Sequence, residues 1–280
     1  MNTLAILVGG GPAPGINAVI AAATIEARNR GLRVLGCFDG FRWLTQGDAE
    51  HAAELGIADV SRIHFDGGSI LRTSRVNPTQ TPEGVRRVAD TLARLRVDHL
   101  ITIGGDDTAF AASRLADTLA GLTVAHVPKT IDNDLPLPSD IVTFGFTTSC
   151  DLGKDLVRNL MQDAATMERW FFVTVMGRHA GHLALGIGGA AGATLTVIPE
   201  EFPEPRLRLD RLADTLEGAI LKRRTQGRDH GVAILSEGLG EKLDADTLGP
   251  VERDAYGNVR LAEFDLGRLL RERVTASLQT

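Results

Sequence analysis

The sequence predicts an α/β protein built from doubly wound parallel sheets, with helices covering both faces of each sheet. Short apolar runs alternate with segments of helical periodicity almost throughout the 280 residues. Strands that alternate with helices pair in parallel, because each crossover connection carries a helix. Glycine-rich turns follow several of the apolar runs. Since ligands in such folds bind beyond the carboxyl ends of the strands, these turns are where a site is expected.

The elements follow one another in a regular order. Short apolar runs predict strands at 4–8, 34–38, 100–103, 124–127, 171–175, 193–198 and 232–235. Helical spacing predicts helices at 16–30, from residue 82 onwards, and at 108–119, 149–167, 179–189, 209–223 and 263–278. The helix that begins at Pro82 shows the pattern clearly, since Val85, Val88, Leu92 and Leu95 recur at helical spacing.

Chain length predicts two domains, on a prior of about 100–200 residues for each. We expect a first domain at 1–140, a second at 141–262, and a closing helix within 263–280. The hinge between the domains is expected at 137–143, beside two closely spaced prolines. No internal repeat or low-complexity stretch interrupts the alternation of strands and helices.

Composition argues against several classes of protein. Hydrophobic residues make up 43% of the chain and charged residues 24%, which is ordinary for a globular protein. The formal net charge of −6 argues against a nucleic-acid or membrane binder that works mainly by electrostatics. The N-terminus lacks the basic region of a signal peptide, and Cys37 and Cys150 offer neither zinc spacing nor a disulfide framework. We therefore expect a cytoplasmic protein.

Two glycine-rich loops at strand ends suit a phosphate ligand. The first, GGGPAPGIN, spans residues 9–17; its glycines let a phosphate approach the backbone, and the following helix offers free N–H groups. It matches no standard nucleotide motif, so a tight structural turn is the alternative. The second, GGSILRTSR, spans residues 67–75 and carries Arg72 and Arg75, whose planar donor forks suit phosphate. An exposed turn with ordinary salt bridges is the alternative there.

Two further loops add carboxylates and a lysine. In IGGDDTAF, residues 103–110, Asp106 or Asp107 could simply cap the following helix. The sharper interpretation is a magnesium–phosphate site, because Mg²⁺ prefers oxygen ligands and keeps several waters. In VPKTIDNDLP, residues 127–136, Asp132 can accept a proton from a substrate hydroxyl, while Lys129 can neutralise a phosphoryl group. A solvated loop is the alternative, but the four loops together favour one phosphate-handling site.

At this point the sequence resembles the phosphofructokinase family over nearly its whole length. The matching pieces, in order, are GGGPAPGIN, GGSILRTSR, GGDDT, PKTIDND, TFGFTTS, VMGRHAGHLAL, IPEEF and SEG. PKTIDND and MGR in this order are specific to the family, whereas the glycine turns alone are not. The resemblance implies two Rossmann-like domains with the active site in the cleft between them. It also implies transfer of a phosphoryl group to the 1-hydroxyl of fructose 6-phosphate.

The resemblance implies particular roles on the donor side, in domain 1–140. Asp132 is similar to the general base that takes the proton from the sugar hydroxyl. Asp106 is similar to the carboxylate that holds Mg²⁺. Backbone N–H groups at Gly11 would approach the transferring phosphate, and Arg75 would neutralise charge there. Thr108, Asp107 and Lys129 complete the predicted donor-binding set, with Lys129 also counted among the catalytic residues.

On the acceptor side, mainly in domain 141–262, the resemblance implies a larger set. The residues expected to bind the sugar phosphate are Thr130, Asp134, Met176, Gly177, Arg178 and Glu237. Arg169 is similar to an arginine that reaches the substrate of a neighbouring subunit, so a homodimer or homotetramer is implied. The expected partners are pyrophosphate and fructose 6-phosphate, with no nucleic acid and no membrane.

Two positions favour pyrophosphate over ATP as the phosphoryl donor. The ATP-dependent pattern commonly has glycine where this chain has Asp107 and Lys129. A carboxylate at Asp107 would repel an α-phosphate, while Lys129 offers a cation to the more highly charged pyrophosphate. Paired repulsion and attraction of this kind is how specificity is usually built. Lys129 alone is weak evidence because some relatives that use ATP also carry PKTIDND.

Two features depart from the family pattern. Arg72 stands where relatives often carry glycine. Relatives also continue past the last predicted helix into a GY-x-QR or GH-x-QRGG motif, which does not occur before Thr280. We therefore expect an incomplete acceptor site. The alternatives that stay open are an ATP-dependent enzyme and a non-catalytic phosphate-binding homologue; NAD kinases and lipid kinases lack PKTIDND.

Overall fold

The computed structural model of the chain describes residues 2–138, 141–244 and 265–279. Its contacts divide the chain into two units. The first comprises Met1–Ile131 and Leu135–Gly145, and the second comprises Asp132–Asp134 and Phe146–Thr280. The tripeptide Asp132–Asp134 thus belongs to the second unit by its contacts, although the segments on either side of it belong to the first.

The first unit is built on a six-stranded sheet with the strand order β3-β2-β1-β4-β5-β6. The strands are β1 (Thr3–Val8), β2 (Arg33–Cys37), β3 (Ala52–Glu54), β4 (His99–Gly104), β5 (Thr123–Thr130) and β6 (Phe144–Gly145). The α-helices are α1 (Ile16–Asn29), α2 (Arg42–Thr45), α3 (Ile57–Val60), α4 (Pro82–Arg94) and α5 (Asp106–Thr118), with 3₁₀ turns at Ile63–Phe65 and Pro78–Gln80. All pairings are parallel except that of β3 with β2.

Strand β1 shows why this sheet is covered on both faces. All six of its residues are buried, and successive side chains of a strand point to opposite faces. Ala5 and Leu7 pack into one hydrophobic cluster, while Leu4, Ile6 and Val8 pack into another. Apolar residues at every position, rather than at alternate positions, are what a central parallel strand requires.

The second unit is built on a three-stranded parallel sheet with the order β7-β9-β8. The strands are β7 (Trp170–Val175), β8 (Leu195–Val197) and β9 (Gly231–Ser236). The α-helices are α6 (Phe146–Met167), α7 (His182–Ala191), α8 (Leu209–Arg224), α9 (Gly238–Lys242) and α10 (Leu266–Leu278), with a 3₁₀ turn at Pro199–Glu201. The central strand β9 is buried along its whole length, and apolar residues of α8 and α10 pack in the same cluster as Ala233 and Leu235.

The predicted α/β class with mostly parallel sheets is confirmed. Sequence reasoning missed the antiparallel strand β3, which has only three residues. It also missed β6 and the helices α2, α3 and α9, each of five residues or fewer. Elements this short leave too few residues for a periodic pattern to be read.

Several predicted boundaries differ from the observed ones. Helix α6 begins at Phe146 rather than at residue 149, and α7 begins at His182 rather than at 179. Helix α5 begins at Asp106 rather than at 108. Of the predicted closing helix 263–278, residues 263 and 264 lie outside the described part of the chain, and the observed helix runs over Leu266–Leu278.

The observed division of the chain also differs from the predicted one at residue 140. The last change of unit falls between Gly145 and Phe146, just beyond the hinge expected at 137–143. The predicted site in a cleft between the domains stays a prediction. None of the helices in the described residues is long and apolar enough to cross a membrane.

Candidate active site

The two glycine-rich loops predicted to handle phosphate are joined by hydrogen bonds in the first unit. Gly10 N donates to Ser74 O at 2.9 Å, and Thr73 Oγ1 donates to Gly10 O at 2.7 Å. Gly10 has a φ of 83°, in the region that glycine adopts readily and other residues avoid. The segment 67–75 therefore fixes the shape of the turn after β1.

A residue that sequence reasoning did not single out strengthens this arrangement. The side chain of Asn17, on a residue only 3% exposed, donates through Nδ2 to Asp66 O at 3.1 Å and to Gly67 O at 3.2 Å. Its Oδ1 accepts from Ile70 N at 2.9 Å. An asparagine on the apolar face of α1 was the available signal, because a buried amide has to find partners.

Lys129 and Gly11, both predicted to bind the donor, lie together in the first unit although they are 118 positions apart. Lys129 is 5% exposed, and its Nζ donates to Gly11 O at 2.6 Å. Strand β6 pairs with Lys129 and Thr130 at the end of β5, and Thr143 Oγ1 donates to Thr130 O at 2.7 Å. The ammonium is therefore held beside the first glycine loop. A Cβ built on Gly11 would meet nothing within 4 Å, so there is open space next to that backbone.

Thr108 has a packing role in the structure. It is 6% exposed, and its side chain fills the space beside two glycines. A Cβ on Gly9 would lie 2.3 Å from Thr108 Oγ1, and a Cβ on Gly104 would lie 2.4 Å from the same atom. The glycines at the ends of β1 and β4 are thus explained by close packing. Contact between Thr108 and the donor stays a prediction.

Replacing Gly104 with alanine is expected to lower the free energy of unfolding by about 1–3 kcal/mol, the usual effect of overpacking. The added Cβ would clash with Thr108 Oγ1, Cβ and Cγ2, all within 2.8 Å. Denaturant unfolding measures the change. Gly189→Ala is the matched control, because a Cβ there meets nothing within 4 Å in helix α7. Adding Thr108→Ala to Gly104→Ala should restore part of the lost stability, and equal unfolding of wild type and Gly104→Ala would contradict this account.

The two aspartates after β4 lie in the first turn of α5, and both are exposed. The idea that one of them caps the helix is wrong, because Gly105 holds the N-cap position without a side-chain cap. Asp106 Oδ1 accepts from Asp107 N at 2.9 Å, and Asn77 Nδ2 donates to Asp107 Oδ1 at 3.4 Å. The pKa of Asp107 is raised, mainly by partial desolvation and secondly by the neighbouring Asp106.

Whether a metal ion fits at Asp106 depends on the side chains that could coordinate it there. Within the described residues no group of three or more His, Cys, Asp or Glu side chains is arranged to hold a metal. An exposed carboxylate alone is compatible with Mg²⁺, which is commonly held by one or two carboxylates together with waters and substrate phosphates. A closed protein cage for the metal is absent from the part of the chain that the structure describes.

The arginines of the second loop differ in their surroundings. Arg75 is exposed. Arg72 has a φ of 57°, and its NH1 lies 3.7 Å from Asp39 Oδ2. That φ is a conformation that glycine adopts without strain, which gives a physical reason for the glycine of the family pattern at this position. In this chain an arginine occupies it instead.

In the second unit, the tripeptide Asp132–Asp134 is an irregular segment with a bend at Asp132. Asn133 has a φ of 54°, in the left-handed region that asparagine tolerates better than most residues. One carboxylate oxygen of Asp132 is shielded from solvent, whereas Asp134 is exposed. His182 Nδ1 lies 2.9 Å from Asn133 O. The predicted base therefore directly precedes a residue with an unusual backbone conformation.

The predicted acceptor residues after β7 and β9 are brought together. Gly177 N donates to Glu237 Oε1 at 3.1 Å, and Gly238 N donates to Gly177 O at 3.2 Å. Gly177 has a φ of 125°, and a Cβ there would lie 2.5 Å from Ala180 O, so only glycine fits. Met176 is 59% exposed. The carboxyl ends of the two neighbouring strands thus present Met176, Gly177 and Glu237 at one edge of the sheet.

Arg178 has an acidic neighbour that sequence reasoning did not assign. Arg178 Nε lies 3.6 Å from Glu241 Oε1, and His179 Nδ1 lies 3.9 Å from Glu241 Oε2. Glu241 is four positions after Glu237 and lies on helix α9. The pairing orients the guanidinium next to the Met176–Gly177 turn.

Arg169 lies away from this group. It directly precedes β7, whereas Met176 directly follows that strand. A six-residue strand is about 20 Å long at ~3.3 Å per residue. The exposed Arg169 lines a cavity of about 700 Å³ together with aromatic residues of β7 and residues of α10. None of the other predicted site residues appears in its described lining.

Comparisons with known proteins point to one family. The family model described as phosphofructokinase matches residues 3–275. The chain is 54% identical over 277 residues to a pyrophosphate–fructose 6-phosphate 1-phosphotransferase of Thermotoga maritima, covering 97% of this chain and 66% of that protein. It is 51% identical to a protein of the same name from Naegleria fowleri, covering 96% of this chain and 65% of that protein.

Solved structures agree with the sequence relatives. The crystal structure of Pichia pastoris phosphofructokinase in the T-state matches with a TM-score of 0.75 and 28% identity, over 96% of this chain and 28% of that chain. A pyrophosphate-dependent phosphofructokinase from Nitrosospira multiformis matches with a TM-score of 0.74 at 21% identity, over 99% of this chain and 67% of that chain, and shows the fold alone. The chain spans about two thirds of the length of the first two sequence relatives.

Proposed function

The chain belongs to the phosphofructokinase family, and we propose that it transfers a phosphoryl group from pyrophosphate to the 1-hydroxyl of fructose 6-phosphate. The products would be fructose 1,6-bisphosphate and phosphate. Both sides of this reaction have similar phosphoryl potential, so it is expected to run in either direction. The names of the Thermotoga and Naegleria relatives support this substrate pair.

The observation that carries the proposal is the buried Lys129 held against the Gly11 carbonyl. An ammonium at this point adds positive charge to a loop whose backbone is open to a ligand. The more highly charged donor, pyrophosphate, gains most from that charge, because Coulomb attraction strengthens where water is partly excluded. The exposed carboxylate of Asp107 acts in the opposite sense on a nucleotide α-phosphate.

The proposed chemistry assigns a task to each group. Asp132 accepts the proton of the sugar 1-hydroxyl as its oxygen attacks the phosphorus. Lys129 and Arg75 stabilise charge on the phosphoryl oxygens, as cationic groups do in phosphoryl transfer. The sugar phosphate is held by the predicted acceptor residues Thr130, Asp134, Met176, Gly177, Arg178 and Glu237.

Mg²⁺ is proposed as the metal ion, with Asp106 as its protein ligand. When bound, it would neutralise charge on the phosphate oxygens. The exposed position of Asp106 in the first turn of α5 suits an ion that retains several waters. We also propose a homodimer or homotetramer in the cytoplasm. Arg169 supports the oligomer through the family resemblance, since it is similar to an arginine that reaches the substrate of a neighbouring subunit, and its side chain is exposed.

A direct assay tests the proposed function. The 280-residue chain is incubated with Mg²⁺, fructose 6-phosphate and either pyrophosphate or ATP, and formation of fructose 1,6-bisphosphate is measured. Turnover is expected with pyrophosphate as the donor and not with ATP. Turnover with ATP alone would favour the activity named for a 35%-identical Thermus thermophilus relative, an ATP-dependent 6-phosphofructokinase. Binding without turnover would favour the non-catalytic alternative.

Replacing Asp107 with glycine is expected to raise kcat/KM for ATP by about 10- to 100-fold. At about 1.4 kcal/mol for each tenfold step, this corresponds to a barrier lowered by about 1.4 to 2.8 kcal/mol. The change removes both a negative charge and a side chain. Asp107→Asn is the matched control, because it removes the charge and keeps the volume. Steady-state kinetics with both donors separates the two effects.

The raised pKa of Asp107 adds a pH dependence to this prediction. Because the carboxyl takes up a proton at a higher pH than an ordinary aspartate, discrimination against ATP should weaken as the pH falls. The Asp107→Asn variant should lack that trend. Equal rejection of ATP by wild type and both variants would count against repulsion at this position.

A further inference from the structure

The geometry points to His182 as a positioning residue that holds the loop of the general base, Asp132. This inference rests on the proposed function, which makes Asp132 the proton acceptor. His182 is the first residue of α7 and contacts the backbone of Asn133, directly after Asp132. Neither the composition nor the spacing of the sequence places these two segments together, since they are 49 positions apart.

The contact fixes the protonation of one ring nitrogen. His182 Nδ1 lies 2.9 Å from the carbonyl oxygen of Asn133. A carbonyl oxygen only accepts hydrogen bonds, so Nδ1 must carry the hydrogen and donate it. In the neutral ring, Nε2 is then the acceptor nitrogen. The hydrogen bond persists if the ring gains a second proton, because Nδ1 donates in both forms.

The segment that receives this hydrogen bond has a backbone conformation that its surroundings must hold. Asn133 has a φ of 54°, and residues held in the left-handed region persist only when the surroundings determine them. The Asn133 carbonyl lies in the peptide that leads to Asp134, so anchoring it restrains the segment Asp132–Asp134. Since the tripeptide belongs to the second unit by its contacts, the His182 bond is one of the interactions that attach it there.

The donor stands on a rigid element. Helix α7 is held by Leu183, Ala184 and Ile187, all buried, while the His182 residue itself is exposed. Removing the imidazole therefore leaves the hydrophobic core intact. A loss of activity on substitution would then reflect the position of Asp132 rather than unfolding.

Proton transfer requires the base to lie within hydrogen-bond reach of the substrate hydroxyl. A segment Asp132–Asp134 that samples other conformations would hold the Asp132 carboxylate in that position for less of the time. Misplacement by about 1 Å can lower a rate by roughly 100-fold. Donor binding at Lys129 and Gly11 does not involve the tripeptide, so the KM for pyrophosphate should stay near the wild-type value.

The experiment compares His182→Phe, which keeps a ring but removes the donor, with His182→Gln, which keeps an N–H donor. We expect kcat to fall about 10- to 100-fold in His182→Phe and to recover in part in His182→Gln. His230→Phe is the matched control, since residue 230 precedes β9 at the opposite end of the strand from Glu237. Thermal unfolding should give similar midpoints for all these proteins.

Amide hydrogen exchange supplies a readout that does not depend on turnover. Exchange at Asn133 and Asp134 should speed up in His182→Phe while the amides of α7 keep their protection. Unchanged exchange in the tripeptide would overturn the inference, whether or not kcat falls. The two proposals can fail separately. If the wild-type chain shows no turnover, the proposed function is contradicted. If exchange in the tripeptide is nevertheless faster in His182→Phe than in wild type, the role of His182 in holding the tripeptide is still supported.

Discussion

Replacing Asp132 with asparagine is expected to lower kcat for fructose 1,6-bisphosphate formation by about 100- to 10,000-fold, the usual contribution of general-base catalysis. The asparagine side chain has nearly the same shape and still offers an acceptor oxygen. It cannot take up the proton of the attacking hydroxyl at neutral pH. The hydroxyl would then have to lose its proton to water, which is a poorly positioned base.

Binding should change far less than kcat in this variant. Because the shape of the side chain is preserved, the KM for fructose 6-phosphate is expected to stay within a few fold of the wild-type value, as for an interaction made mainly in the transition state. Asp117→Asn is the control, being an exposed aspartate in the last turn of α5. A kcat for Asp132→Asn close to that of the control would rule Asp132 out as the base.

Lys129→Met is expected to lower kcat/KM for pyrophosphate by about 10- to 100-fold. A charge-assisted hydrogen bond contributes roughly 1.5–3 kcal/mol, and each tenfold step corresponds to about 1.4 kcal/mol. Methionine retains most of the apolar stem but removes the ammonium that lies against Gly11 O. The transferring phosphoryl group would lose the buried ammonium that lies against the first glycine loop.

The Lys129→Met substitution should change the kinetics with pyrophosphate and leave the KM for fructose 6-phosphate near its wild-type value. Initial rates measured over a range of pyrophosphate concentrations, at saturating fructose 6-phosphate, separate the two. Lys222→Met is the matched control, because Lys222 is exposed in the last turn of α8. If Lys129→Met raised the KM for fructose 6-phosphate and left pyrophosphate kinetics unchanged, Lys129 would have to be moved to the acceptor side.

The sequence pattern located the main strands, with their ends within three residues of the observed ones. The largest difference is in β5, which runs to Thr130, so that Lys129 lies in the strand and not in a loop after residue 127. Buried parallel strands need apolar residues at every position, so runs such as Leu4–Val8 stand out in the sequence, and the predicted loops follow them. The ends of β1, β4 and β5 do carry Gly11, Asp106 and Lys129 in the first unit. The positions of these residues were predictable because a short-range pattern and a topological rule decide them, while their roles stay predictions.

The residues that hold the site in shape were not predictable in the same way. Asn17 contacts Gly67 at 50 positions' distance, and His182 contacts Asn133 at 49. Glu241 pairs with Arg178 only because α9 follows β9 and returns beside the end of β7. No periodicity encodes such pairs, since each depends on the folded path of the chain. The assignment of Thr108 to the donor stays a prediction, whereas the packing of its side chain against Gly9 and Gly104 could not be read from the sequence.

The assignment of Asp132–Asp134 to the second unit has a consequence for attempts to dissect the protein. A polypeptide cut before Phe146 would leave these three residues on one fragment and their helix α7 partner, His182, on the other. The second unit is therefore not a portable module with a single linker, and neither separately produced half would contain both the predicted base and the element that holds it. If halves were exchanged between relatives at this point, Asp132–Asp134 and His182 would come from different proteins. A cut at another position would be needed to exchange them together.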